Sequence, residues 1–252
     1  MLNRIKRWLT GSAPSEGLQS VKAWAQGRGY QYRDGDESWG FSVEGRRGSR
    51  PWRMEYGRPQ RNYIEHAELR LRLDLGLPPT LNLMLLSRPL LEQLESTALE
   101  RFSRGHNGRL ELAATEEMRW LALYPKVALH AVSDLRRHFG MVGSSPEAAH
   151  HWLHGALGER LEALQGTALA GLPLALMVVR GCLHLRIGLQ EPALPALQEA
   201  LALFLVAAEQ AQEVLLDWAD DNDGTWLSTT SIAWQGGELH VELPLDLPPP
   251  KN

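Results

Sequence analysis

The segment from Pro192 to about Leu216 constrains the fold more than any other part of the chain. In helical projection Leu194, Leu197, Leu201, Leu205 and Leu215 form one stripe. Leu203, Phe204, Val206 and Val214 fall off that stripe, so the helix is apolar over most of its circumference. Such a helix has to be covered on more than one side. Each leucine it buries contributes about 1.5–3 kcal/mol. The segment is therefore expected to be a long buried helix, packed mainly on the strand pair just before it.

That strand pair is Leu174–Val179, continuous and apolar, and Leu183–Leu189, where His184 and Arg186 alternate with leucine and isoleucine. Arg180-Gly181 between them predicts a two-residue hairpin turn. A stricter alternation lies earlier. Ala67, Leu69, Leu71, Leu73 and Leu75 point one way and Glu68, Arg70, Arg72 and Asp74 the other. Period two with charge on one face means an antiparallel sheet with one wet side. Trp39, Phe41 and Val43, then Trp52, Met54 and Tyr56, repeat the pattern around a turn at Gly45–Gly48. Leu81, Leu83 and Leu85 make a further strand.

Helices are expected at Glu16–Gln26, stopped by Gly27 and Gly29, and from Pro89 to about Arg101. A third spans Glu116–Leu121, capped by Thr115. A fourth starts at Ser145-Pro146 and runs to about Leu164. Arg109–Ala113 reads as a short strand, and Leu227–Trp234 with Glu238–Leu243 as a hairpin. The fold class is thus α+β, mainly antiparallel strands packed by helices.

The 252 residues form one large domain or two small ones. We assign residues 1–15 to a basic segment and linker, and 16–252 to a single α+β domain. Helix–strands–helix occurs twice, which suggests two similar halves, about 16–110 and 111–252. Cys182 is the sole cysteine, which fits a reducing, cytoplasmic compartment. Leu169–Val179, eleven residues long, is too short to cross a bilayer, which takes about 20. Residues 1–9 carry Arg4, Lys6 and Arg7 off an apolar face of Leu2, Ile5, Trp8 and Leu9, the pattern of a helix lying on an anionic inner-membrane surface and equally of a terminal helix docking onto its own domain.

Charge is unevenly spread. Residues 1–75 hold 14 Lys/Arg against 9 Asp/Glu, and residues 191–252 hold 1 against 11. The two ends can meet in the fold or pair between chains, or the basic front can attract an anionic partner, but a solvated, unevenly charged surface is the simpler reading.

His150 and His154 stand at i, i+4 on an expected helix, beside His151 and one turn after Glu147, a spacing that can hold a transition metal on one face. The HExxH pattern is absent and no cysteine cluster adds ligands, so an exposed histidine-rich face is the simpler reading. Asp220–Gly224 resembles a calcium loop, but counting from Asp221 puts Trp226 where glycine belongs and Ile232 at the final ligand position. Arg46, Arg47, Arg50, Arg53, Arg58 and Arg61 crowd Trp52 and Tyr56, which invites a single-stranded nucleic acid. The aromatics alternate as core residues, so a strand with an arginine-rich wet face fits better and nucleic acid is not expected. Cys182 reads as a small core residue. No catalytic residue and no cofactor is assigned: GxSxG, GxGxxG and P-loop patterns are all missing.

Tyr56-Gly-Arg-Pro-Gln-Arg61 with Glu68-Leu-Arg-Leu-Arg72, and Glu116-Glu-Met-Arg-Trp-Leu121 with Tyr124-Pro-Lys126, resemble segments of an uncharacterised proteobacterial protein family over about residues 30–160. The resemblance implies a bacterial origin and carries no activity with it. The function expected is non-enzymatic binding or interaction, through a protein partner, self-association or a membrane surface. The rival is a small apolar ligand pocket, binding or enzymatic, between the sheet and the long helix.

Overall fold

A computed structural model describes residues 16–35, 39–103, 115–129 and 134–221. The expectations for residues 1–9, Arg109–Ala113, most of Asp220–Gly224 and the hairpin after Leu227 lie outside the described residues. The elements are α1 (Glu16–Gly27), β1 (Gln31–Asp34), β2 (Phe41–Arg47), β3 (Arg50–Gly57), β4 (Glu68–Asp74) and β5 (Leu83–Ser87). They continue with α2 (Arg88–Ser103), α3 (Glu116–Leu123), β6 (Lys126–Val127), α4 (Leu135–His138) and β7 (Phe139–Gly143). The last are α5 (Pro146–Leu153), α6 (Ala156–Ala163), β8 (Leu174–Val179), β9 (Cys182–Gly188) and α7 (Leu194–Asp221). The protein is α+β, with its nine described strands in one sheet of order β1-β2-β3-β4-β9-β8-β5-β7-β6. Every neighbouring pair is antiparallel. The sheet does not divide near residue 110, because β5 lies between β8 and β7.

One face of the sheet is covered along its length. There α1, α5, α6 and α7 pack on Val43, Met54, Leu71, Leu185, Leu176 and Leu85, all buried. Leu197, Leu203, Phe204, Ala207 and Ala211 of α7 have no exposed surface. The long helix shares one core with Leu176 of β8 and with Leu183 and Leu185 of β9, and it also meets β4, with α5, α6 and α1 flanking it. The indole Nε1 of the buried Trp152 donates to the Ala207 carbonyl at 3.0 Å, tying α5 to α7. Arg160 pairs with Glu199 at 2.5 Å, tying α6 to it. The alanines at 207, 208 and 211 let those helices approach closely. That approach explains why the apolar girth exceeds one stripe.

The opposite face is covered over only part of its width. There α2 and α3 pack on Met84, Leu86, Val142, Ala175 and Met177. The strands record the boundary. Every residue of β5 and β8 is buried, whereas β4 and β9 alternate between buried and partly exposed. A strand covered on both faces reads as a continuous apolar run, and a half-covered one alternates.

Local signals mostly hold. Thr115 caps α3, its hydroxyl accepting from the Met118 amide at 3.4 Å. Arg180 and Gly181 both have positive φ, as a type I′ hairpin turn requires. A Cβ on Gly181 would stand 2.6 Å from the Leu77 carbonyl oxygen, so glycine is required there twice over. Two expectations fail. Trp39 lies before β2 rather than in it. The helix from Pro146 ends at Leu153 and restarts at Ala156, because Gly155 takes φ +91° and breaks the hydrogen-bond ladder.

Leu201 of α7 is 5% exposed. Leu201→Asp should abolish a cooperative thermal transition measured by circular dichroism, since a lone carboxylate cannot be buried there without heavy cost. Gln198→Asp, one turn away on the exposed side of α7, should change stability by no more than about 0.5 kcal/mol.

Candidate functional site

The strand register writes the uncovered face as rows of side chains. One row runs Glu44, Arg53, Arg72, His184 across β2, β3, β4 and β9. The next runs Ser42, Glu55, Arg70, Arg186. Both rows become apolar at β8, where Met177 stands opposite His184 and Ala175 opposite Arg186. From there α2 and α3 cover the sheet. A third row places Glu68 between Gly57 and Gly188. The face is thus a polar field walled on one side by two helices.

The seam between field and wall holds two carboxylates with no exposed surface, Glu68 and Glu117. Glu68 accepts from the Gln60 amide at 2.6 Å, from Arg186 at 2.5 Å and from Arg70 at 3.4 Å. Glu117, on the first turn of α3, accepts from Arg61 Nε at 2.8 Å and from the Tyr63 hydroxyl at 2.9 Å, both on one oxygen. Arg70 also donates to the Arg58 carbonyl at 2.8 Å. The connection between β3 and β4 is therefore strapped to the sheet at one end and to α3 at the other. Buried charges persist only when paired in this way. Segments 56–61 and 68–72 meet the distant segment 116–121 in this network.

The pairing is incomplete. Among the described residues, Glu117 Oε2 and Arg186 Nε are buried without a hydrogen-bond partner. Each such group costs about 1–3 kcal/mol. The environment also shifts several protonation equilibria. Burial, and then the charge of Glu117, raise Tyr63 far above the ordinary phenol range, so it stays a donor. Burial opposes the Arg61 guanidinium, but the hydrogen bond and charge of Glu117 outweigh it and hold the group more firmly protonated. Burial, and then the charges of Arg72, Arg186 and Arg61, press His184 from 6.5 down to about 4. Its ring is neutral at pH 7.

Above these rows lies a groove of about 720 Å³, lined among others by Arg53, Arg70, Arg72, His184 and Arg186 and by the carboxylates Glu44, Glu55 and Asp74. Arg53 pairs with Glu44 at 3.1 Å and Glu55 at 2.6 Å, and Arg70 with Glu55 at 3.4 Å. Asp74, further along β4, faces Arg50 at 3.7 Å. Arg72 is different. Among the described residues it meets no carboxylate, and its polar contact is the Cys182 sulfur at 3.7 Å.

The candidates named from sequence fall elsewhere. His150 and His151 are exposed on α5, and His154 is the residue capping its end, with ψ 129°, outside the helix. The i, i+4 helical geometry assumed for a metal pair is therefore not formed. No group of three or more His, Cys, Asp or Glu converges among the described residues. Trp52 and Tyr56 are core residues, 1% and 4% exposed. Of the arginines in that stretch, Arg53 faces the groove and Arg61 joins the seam, while Arg47 leaves it to meet Gln212 and Glu209 of α7. Cys182 is buried in β9. None of five surface grooves on the described residues is lined by α7, whose apolar side chains fill the space beside the sheet. Sequence reading missed Glu68, Glu117, His184 and Arg186 as a site. The available signal was a charge at every wet position of β4 and polar His184 and Arg186 between the apolar residues of β9, and the register needed to join them is not local.

No protein-family model matches the chain. No curated protein matches it either. Among solved structures it is similar to the crystal structure of the mycobacterial trehalose monomycolate transport factor A, at 11% identity and a TM-score of 0.44, over 79% of this chain and 97% of that one. None of the described helices is long and apolar enough to cross a membrane.

Two measurements check the seam. Glu117→Ala should cost about 3–5 kcal/mol in denaturant unfolding, because it strands Arg61 and Tyr63. His184 should titrate near 4 by proton NMR, and Arg72→Gln should raise that midpoint. The unfolded chain binds this proton more readily, so the His184 contribution to stability should fall as pH drops from about 6.5 to about 4, and then level off.

Proposed function

We propose that this chain is a non-enzymatic binding protein of the bacterial cytoplasm, and that it receives its partner on the uncovered half of the sheet. The observation that carries this reading is the arginine-rich groove over β3, β4 and β9, floored by paired strands and lying beyond the part of this face that α2 and α3 cover. A wet sheet face needs only scattered solvated charge. This one concentrates four arginines in two adjacent rows and leaves Arg72 without a carboxylate among the described residues. Charge complementarity on such a surface attracts and orients an anionic partner. The site offers recognition rather than chemistry: its buried carboxylates are engaged by arginine and tyrosine, and its histidine is held neutral between guanidinium groups. The basic segment at residues 1–9 adds, in this reading, a separate contact with the anionic inner membrane.

Site-specific photo-crosslinking in bacterial cells tests the assignment. A photoreactive residue at position 53 or 72 should give a discrete higher-mass adduct. The same residue at 198 or 213, on the exposed side of α7, should give none. Equal adducts at all four positions, or none at 53 and 72, would overturn it.

A further inference from the structure

We propose that Arg72, Arg186 and His184 frame a seat for a phosphate-class oxyanion on the floor of this groove. The inference rests on the partner-binding reading above and names the chemistry the face recognises. Three observations carry it.

First, the register puts like charges side by side. Arg72 stands directly opposite Arg53, and Arg70 stands directly opposite Arg186. Directly opposed like charges destabilise a sheet unless counter-charge is supplied. The local carboxylates supply it unequally. Glu44 and Glu55 take Arg53, Glu55 and Glu68 take Arg70, and Glu68 takes one terminal nitrogen of Arg186. Arg72 is left with a sulfur atom at 3.7 Å.

Second, Arg186 in this floor has its hydrogen-bonding capacity only partly met. Arg186 is 12% exposed, and its Nε is buried with no partner among the described residues. An oxyanion supplies several acceptor lone pairs at once. The planar guanidinium fork of arginine matches its geometry in a way an ammonium does not.

Third, His184 stands between Arg72 and Arg186 on this face and is neutral, for the reasons of burial and neighbouring charge already given. A neutral imidazole offers one N–H without adding to the local repulsion. The remaining groups around it are Arg61 across the seam, Glu68 bound to Arg186, and Met177 on β8. The groove of about 720 Å³ leaves room for the molecule that carries the phosphate ester.

The test uses the full chain and inorganic phosphate, followed by the His184 ring proton in NMR and by calorimetry. Phosphate should give a saturable shift of His184 and raise its titration midpoint. Sodium chloride at matched ionic strength should not. Arg72→Gln should weaken binding about tenfold or more, the loss of one charge-assisted interaction. Arg72→Lys, which keeps the charge and loses the fork, should recover part of the affinity. Arg28→Gln, which removes one exposed charge at the end of α1, should leave it unchanged. Sedimentation with phosphatidylglycerol and phosphatidylcholine vesicles separates the sources. Arg72-dependent recovery with the anionic vesicles assigns the seat to a lipid headgroup, and recovery independent of Arg72 assigns it to a soluble ester. A His184 response matched by chloride, or an equal loss in Arg28→Gln, would overturn the seat. Crosslinks at positions 53 and 72 that persist in that case would leave the partner-binding face standing and remove only the oxyanion.

Discussion

The pairing of β4 with β9 is the constraint on which the rest of the architecture depends. Seven consecutive residues on each strand are in register, from Glu68 opposite Gly188 to Asp74 opposite Cys182. This ladder joins the β1–β4 meander to the strands contributed by the second half of the chain. It also centres the sheet beneath α7, which lies on β4. A slip of one residue would turn Leu69, Leu71 and Leu73 to the wet side and Arg70 and Arg72 into the core. Few registers in the molecule are specified so strongly, because both strands alternate strictly. The same ladder sets Arg72 against His184 and Arg70 against Arg186. The candidate site is therefore a by-product of the register that secures the fold.

The second organising fact is the unequal cover on the two faces. A sheet this wide has more surface than the described helices can cover on both sides. Over β5, β7 and β8 the second face is closed by α2 and α3, and the strands there lose their polar positions. Over β2, β3, β4 and β9 it is open, and polar positions fill with charge. Between the two regimes an abrupt change from methionine to arginine needs a transition that leaves no charge buried alone. Glu68 and Glu117 provide it, with Arg61, Tyr63, Arg70 and Arg186 around them. The network contributes modestly to stability because desolvation offsets much of its attraction. Its structural effect is to fix where the wall of helices ends and the open field begins.

Much of the fold was legible in the sequence, for physical reasons that can be named. The period-two run at 67–75 declared a half-wet strand, and Arg180-Gly181 declared its turn through the demand for positive φ. Thr115 declared a helix start through its hydroxyl. The girth of the 192–216 segment declared a helix covered on several sides. The failures are equally specific. Leu83–Ser87 carries no alternation because both its faces are buried, so nothing local revealed that it would sit between β8 and β7. Gly155 breaks a helix that its neighbours favour, since a single φ of +91° outweighs their propensity. The glutamates at 68 and 117 look like ordinary surface carboxylates, one alternating on a strand and one on a first helical turn. What buries them is tertiary, and so the site was invisible until strands distant in sequence were laid side by side.

The strand order also has a consequence for how the molecule is made. Every partner that β5 has, and the second partner of β4, is encoded later than the strand itself. Arg72 and Cys182, which meet in the finished sheet, are 110 residues apart. A ribosome takes roughly 5 to 20 s to cover that distance. Throughout that interval a nascent chain carries β4 with one unsatisfied edge, and β5 has two until β7 is made. An unpaired edge of this kind is a template for a second copy of itself. Glu68, Arg70, Arg72 and Asp74 alternate along β4, and two such edges paired symmetrically would set like charges opposite one another. The charge that decorates one face of the native sheet thus guards the half-built sheet against its neighbours on the same messenger.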